Sequence, residues 1–316
     1  MGNSNNGSKQ VHYISPVDYQ LIGKTNLIRW GELLEMKNSK TGQLTLMQEK
    51  YANNLEIYHQ IVEECIKRIS YTHKNLATIY GWAGDDTPDR FTNMYKVCIF
   101  FEHVSDNLKN SIKTRKSPSH PHNPRFSHAH QPTLQYFEES ELINFISQLL
   151  DVFAFLQSHN ITLGDITPDL CFITKDGILK IVDRTLLYNH ISVFEMARKG
   201  ISNVFLTPIE LETLESDVST PPEQNKTKAD VFRLGMTLLE CATLQKSTQI
   251  YDWSAYKINL DLLTSRLIQV KERYSSTIYN HLREMLKFQE HKRPDFETLK
   301  KAFEEELALT IKVSFF

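Results

Sequence analysis

The sequence predicts an α+β fold in two lobes, the first rich in strands and the second mainly helical. Three observations carry that expectation. Apolar residues alternate in short runs from about Tyr19 to Tyr51, the pattern of half-buried strands. An amphipathic helix over Asn54 to Ser70 and a buried strand over 95–101 follow. Later, Ser140 to Ser158 and Ala229 to Leu244 are apolar on every side, which marks core helices of a large domain.

The elements follow in order. Gln20-Leu21-Ile22 leads into Gly23, Gly31 to Met36 alternates, and Lys40-Thr41-Gly42-Gln43 reads as a turn before Leu44-Thr45-Leu46-Met47. Leu55, Tyr58, Val62, Cys65 and Ile69 recur at helical spacing. Residues 113–135 lose all apolar period and gather Pro, Ser and His, the composition of a surface insertion. Its His120, His122, His128 and His130 have neither Cys nor carboxylate beside them, so they read as a polar loop and no metal site is assigned. The helix near the C-terminus is expected to end near Leu309, leaving a short β-prone tail over Thr310 to Phe316.

Composition removes several function classes. The chain has 316 residues, 41% of them apolar, with a net charge of −2, so a dedicated nucleic-acid binder is not expected. Its 11 glycines include no G-x-G, which excludes a dinucleotide-binding fingerprint and a nucleophile elbow. Gly23-Lys24-Thr25 imitates the end of a Walker A loop, but Asp18 stands where its first glycine belongs. Four separated cysteines form no C-x-x-C pair and suit a reducing, cytoplasmic compartment. No apolar run approaches membrane-spanning length and the N-terminus is polar, so neither a span nor a signal peptide is expected. Membrane contact would require myristoylation of Gly2, where Asn6 departs from the usual Ser or Thr.

Between the two apolar helices lie Leu163-Gly164-Asp165-Ile166-Thr167-Pro168-Asp169-Leu170 and then Leu179-Lys180-Ile181-Val182-Asp183-Arg184-Thr185. Thr207-Pro208-Ile209-Glu210, Lys228 to Gly235 and His291-Lys292-Arg293-Pro294 come after, and His73 to Gly81 before. In this order, over residues 19 to 305, the chain resembles the eukaryotic protein kinase family. The resemblance implies a bilobal kinase-like fold. Residues 1–18 would be a polar tail, 19–104 the first lobe and hinge, 105–305 the second lobe with its insertion, and 306–316 a C-terminal tail.

It also implies roles, and several positions depart from them. Gly23 and Lys24 stand in the region of the glycine-rich loop, which lacks its glycine pattern. Gln48 occupies the place of the phosphate-binding lysine, and Glu64 that of its helix partner. Phe101 matches the gatekeeper, with Glu102, His103 and Val104 as the hinge that could receive adenine. Asp165 keeps the place of the base and Asp183 that of a magnesium ligand, but Thr167 replaces the loop lysine. Leu170 replaces the second magnesium ligand and has no ligand atom. Arg184 could pair with Asp183 or Glu64. Of the bracing residues, Asp230 is expected to bond the Leu163–Asp165 backbone, and Arg293 to pair with the acid near Pro208, where Glu210 falls one place late.

Kinases transfer phosphoryl by positioning ATP and neutralising charge. Losing one preorganised group typically slows an active site roughly a hundredfold, and several are missing here. The expectation is a pseudokinase acting as a scaffold or allosteric partner for proteins in a larger assembly, a cytoskeletal one included. On that reading no cofactor is required, ATP is compatible with the hinge, and Mg2+ lacks a ligand. The rival is an active Ser/Thr kinase with an unconventional site that recruits Lys24.

Overall fold

The computed structural model describes residues 12–27, 31–116, 134–182 and 191–313. The chain divides into two compact units, residues 1–105 with 180–190 and residues 106–179 with 191–316. The division differs from a simple cut near residue 104 because the segment from Lys180 onward returns to the first unit.

The first unit is built on an antiparallel sheet of β1 (Tyr19–Leu27), β2 (Gly31–Asn38), β3 (Leu44–Ala52), β4 (Ile79–Gly84) and β5 (Tyr95–Glu102), in the order β1-β2-β3-β5-β4. The β2–β3 turn closes as the sequence predicts. Asn38 Oδ1 accepts the backbone N–H groups of Lys40 and Thr41, each at 2.9 Å, and Gly42 supplies a φ of +74°. Helix α1 (Leu55–Ile69) is capped by Asn54, whose side chain accepts the N–H of Ile57 at 2.8 Å. It buries Tyr58, Val62 and Cys65 and packs on β3, β4 and β5.

Residues assigned to a polar tail in part belong to this unit. Tyr13 makes a parallel bridge to Trp82, with Ile14 N–H donating to Trp82 O at 2.8 Å and Trp82 N–H to His12 O at 3.0 Å. Ile14 and Tyr19 close over a cluster of Met36, Met47, Ala83, Cys98 and Phe100. A sheet with apolar side chains on both faces needs a cover on each, and this segment supplies one of them.

The second unit begins with the short strand β6 (Asp106–Asn107), which pairs antiparallel with β7 (Cys171–Ile173). Helices α2 (Leu108–Lys116) and α3 (Glu139–Ser158) lie between them, and β8 (Leu179–Ile181) carries the boundary between the units. Helices α4 (Val193–Arg198), α5 (Pro208–Glu215) and α6 (Lys226–Thr243) follow. After the β9 (Tyr251–Asp252) and β10 (Lys257–Ile258) hairpin come α7 (Leu260–Arg273), α8 (Ser276–Met285) and α9 (Phe296–Val313). Nearly all of α6 is buried, as apolar residues on every side of it require, and the charges it carries at Asp230 and Arg233 are paired. Its Gly235 lets α8 approach closely, since a Cβ there would lie 2.9 Å from Met285 Cβ.

α9 corrects the expected C-terminus, because the helix continues through Thr310, Ile311 and Val313 instead of ending near Leu309. Intrinsic preference at β-branched residues is a few tenths of a kcal/mol, too weak to stop a helix already propagating. The expected insertion lies mostly outside the described residues, as do Gly2 and Phe315-Phe316. Among the described residues no helix is long and apolar enough to cross a membrane.

Candidate functional site

In the first unit, Gly23 sits beside a register shift in the β1–β2 pairing, half-buried, and a Cβ there would lie 3.1 Å from Glu35 Oε2. Lys24 is exposed and its Nζ donates to Glu32 Oε1 at 2.8 Å. So exposed a pair contributes little to stability.

Strand β3 is more informative. Gln48 is 0% exposed and pairs with Ile99 of β5. Because alternate residues share a face, Lys50 lies on the same side as Gln48, and it too is buried, at 7% exposure. Glu49, on the other side, pairs with Lys96 and accepts the Tyr51 hydroxyl at 2.7 Å. Glu64 is exposed on α1.

Phe101 is fully buried, opposite Leu46 and Ile79. Glu102 is fixed from three sides. Its backbone N–H donates to Thr78 O at 2.8 Å, and its Oε2 accepts the Thr78 N–H at 3.1 Å and faces Lys180 Nζ at 3.0 Å. Val104 is buried and His103 half-buried.

Lys180 is held in turn by its strand. Ala77 N–H donates to Ile181 O and Ile181 N–H to Asn75 O, at 2.9 and 2.8 Å. Arg68 of α1 ties the same segment down through Tyr71 O and Ala77 O. The sequence reading assigned neither Lys180 nor Arg68. The only signal for Lys180 is a charge inside an otherwise apolar strand. Asp183 and Arg184 lie outside the described residues.

In the second unit the loop from Leu163 to Leu170 is anchored to α6. Asp230 accepts the Leu163 N–H at 2.7 Å and the Gly164 N–H at 2.9 Å, the bond expected from the sequence. Gly164 has a φ of +74°, which a side chain would strain. Thr237 Oγ1 donates to Ile166 O at 2.9 Å.

Within the loop Asp165 is buried, and Leu170 closes a turn by donating its N–H to Thr167 O at 2.9 Å. The Leu170 side chain is 4% exposed. Thr167 Oγ1 donates to Asp169 Oδ1 at 2.6 Å, and Asp169 Oδ2 lies 3.5 Å from Lys109 Nζ. Thr167 thus orients an acid where the resemblance implied a lysine. Among the described residues no group of three His, Cys, Asp or Glu could hold a metal ion.

The bracing charges are partnered differently from the expectation. Arg293 does not reach Glu210. Its guanidinium donates to backbone carbonyls, Lys228 O at 2.7 Å and Lys287 O at 2.7 and 3.0 Å, and lies over the Phe232 ring. Glu210 pairs instead with Arg233, Nη2 to Oε1 at 2.5 Å, both side chains at most 5% exposed. Arg233 also donates to Phe205 O at 3.1 Å and lies 3.3 Å from Asp230 Oδ1.

Burial works against the Arg233 charge, but Glu210 and then Asp230 more than offset it and raise its pKa. Glu210 completes the network by accepting the Thr207 N–H at 2.8 Å and Gln224 Nε2 at 2.9 Å, while Pro208 starts α5 in the first-turn position that needs no N–H donor. One chain of hydrogen bonds therefore runs from α5 through α6 to the Leu163–Leu170 loop.

Comparison with known proteins adds the family. The model of the protein tyrosine and serine/threonine kinase family matches residues 25–303. A dual specificity protein kinase, zak2 of Dictyostelium discoideum, is 29% identical over 109 residues, which are 33% of this chain. The chain covers 16% of that relative's length.

Proposed function

The chain belongs to the protein tyrosine and serine/threonine kinase family, and on that premise we propose that it is a pseudokinase, a kinase fold used as a scaffold or allosteric partner for other proteins. The observation that carries this reading is the pair Gln48 and Leu170, both buried where the family places a lysine and an asparagine. A buried amide brings no charge to a phosphate, and a buried leucine offers no oxygen to Mg2+. The residues described at these positions therefore do not fit a two-magnesium ATP site. The bracing network of Asp230, Arg233 and Glu210 is intact, which suits a fold kept as a binding surface.

The test is a thermal melt of the purified chain with ATP, with and without magnesium, beside a phosphotransfer assay. Ligand at 100 times its dissociation constant adds about 2.7 kcal/mol, which a melt resolves. The expected result is no magnesium-dependent shift and no phosphotransfer. Autophosphorylation that Asp165→Asn abolishes would overturn the proposal.

A second reading, a kinase with an unconventional site, is favoured by Lys50. It shares a face of β3 with Gln48 and is buried, where a cation acts more strongly on an anion than exposed Lys24 can. An ATP-dependent shift lost in Lys50→Met and kept in Lys24→Met would support that reading over the first.

A further inference from the structure

The stretch between α5 and α6 is a strap anchored at both ends, and its middle takes no part in the bracing network. Residues 219–224 form neither helix nor strand. At one end Arg198, the last residue of α4, donates Nη1 to Ser219 O at 2.8 Å. At the other end Gln224 accepts the Thr207 hydroxyl and donates to Glu210 Oε1, each at 2.9 Å, and so joins the bracing network. Between the anchors lie Thr220, Pro221 and Pro222, of which Thr220 and Pro221 are exposed. The two prolines restrict the segment to extended backbone, which enters a cleft at little entropic cost, and the first keeps Thr220 out of the helical region. Proline also has no N–H, so a cleft with no acceptor for that donor selects proline after the reacting hydroxyl.

Arg198 is bonded to a neutral oxygen although it carries a full charge. The acid of its own helix, Glu195, is turned to the helix start, where it accepts the Ser192 N–H and hydroxyl, both at 2.9 Å. The Ser219 oxygen lies on the same side of a trans peptide as Thr220 Cα, so a phosphate on Thr220 is within reach of this guanidinium. The guanidinium would then exchange a carbonyl for a group of about −1.5 to −2 charges with three strong acceptor oxygens. Lys199 adds a second exposed cation beside Arg198. Asp217 and Glu223, three residues to either side of Thr220, are exposed, so water and salt screen their repulsion.

Among the described residues exposed Ser-Pro and Thr-Pro links also occur at Ser15 and Thr87, and neither is arranged this way. Ser15 is held against the sheet, with Ile14 N–H bonded to Trp82 O and its own carbonyl closing a turn with the Asp18 N–H. Thr87 donates its N–H to Asp85 Oδ1 at 2.8 Å, and Asp86 and Asp89 flank it, so a phosphate there would meet carboxylates.

We propose that Thr220 is a phosphorylation site for a second, proline-directed protein kinase, and that Arg198 receives the phosphate. ATP supplies the group. The bond from its γ-phosphorus to the β,γ-bridging oxygen breaks as a bond to Thr220 Oγ1 forms, ADP leaves, and the hydroxyl proton passes to the base of the modifying kinase. The phosphate then ties α4 to a strap whose far end is already bonded to Glu210. The site goes beyond the scaffold reading and holds whether or not this chain transfers phosphoryl to other proteins.

The experiment treats the purified full chain with ATP and a cyclin-dependent kinase, an enzyme that selects proline after the acceptor, and reads the sites by peptide mass spectrometry at early times. Thr220 is expected to gain phosphate about tenfold or more faster than Ser15 or Thr87, and Pro221→Ala to slow it by a similar factor. Hydrogen exchange then reads the receiving cation. Phosphorylation is expected to slow amide exchange over residues 194–200 roughly threefold or more in the unsubstituted chain, and to leave it unchanged in Arg198→Gln, an exposed substitution. No phosphate on Thr220, or exchange that is unchanged by the phosphate or slows equally in Arg198→Gln, would overturn the proposal. Phosphate on Thr220 with ATP and no added kinase would assign the step to the chain itself and overturn it as stated.

Discussion

Removing Arg233 should reveal which cation neutralises Glu210. Arg233 and Glu210 meet at 2.5 Å with side chains only 4% and 5% exposed, and Asp230 shares the same guanidinium at 3.3 Å. Arg233→Met leaves two buried carboxylates without their cation, a change that typically destabilises by about 3–5 kcal/mol. Set against a typical domain stability of about 5–15 kcal/mol, that is a large share.

Glu210→Gln alone should be milder, because the amide oxygen can still accept the Thr207 N–H. A double-mutant cycle followed by urea unfolding separates the alternatives. Coupling between Glu210→Gln and Arg233→Met should be about 2 kcal/mol or more. Between Glu210→Gln and Arg293→Met it should stay within about 0.5 kcal/mol, as for sites with no shared partner. Strong coupling of Glu210 to Arg293, with little to Arg233, would refute the reasoning.

Gly81→Ala should displace the N-terminal segment, because its Cβ would collide with His12 O. A loss of about 1–3 kcal/mol by urea unfolding is expected, with faster proteolysis near residues 12–18. The four cysteines are buried thiols, and burial pushes Cys98 up to about 11. Alkylation at pH 8 should label none of them until denaturant is added. Since the Cys98 pKa is raised in the folded state, its contribution is complete below about pH 9. It should be lost as pH rises toward about 11, visible as a falling melting temperature over that window. Asn54→Ala should remove the cap on α1 and destabilise the first unit by about 1 kcal/mol, measured by urea unfolding.

Much of this molecule could be read in one dimension. The period of Leu55, Tyr58, Val62 and Cys65 specified α1, and apolar residues on every side specified α6, because burial needs a matching face whatever lies opposite. The bond from Asp230 to the Leu163–Gly164 backbone was also legible, since the resemblance to the kinase family implied it. That Gln48 carries no charge and Leu170 no carboxamide was equally legible, because side-chain chemistry is a property of the residue itself.

Other features became visible only when distant segments met. That Arg233, and not Arg293, neutralises Glu210 depends on which face of α6 turns toward α5. That residues 12–19 cover the sheet depends on both of its faces being apolar. Lys180 beside Glu102 joins residues far apart in the chain. Periodicity and residue chemistry are local, so the chain by itself determined most of the elements and the resemblance to the family. Which partner a buried charge receives is a matter of distance and dielectric, and only the tertiary packing decided it.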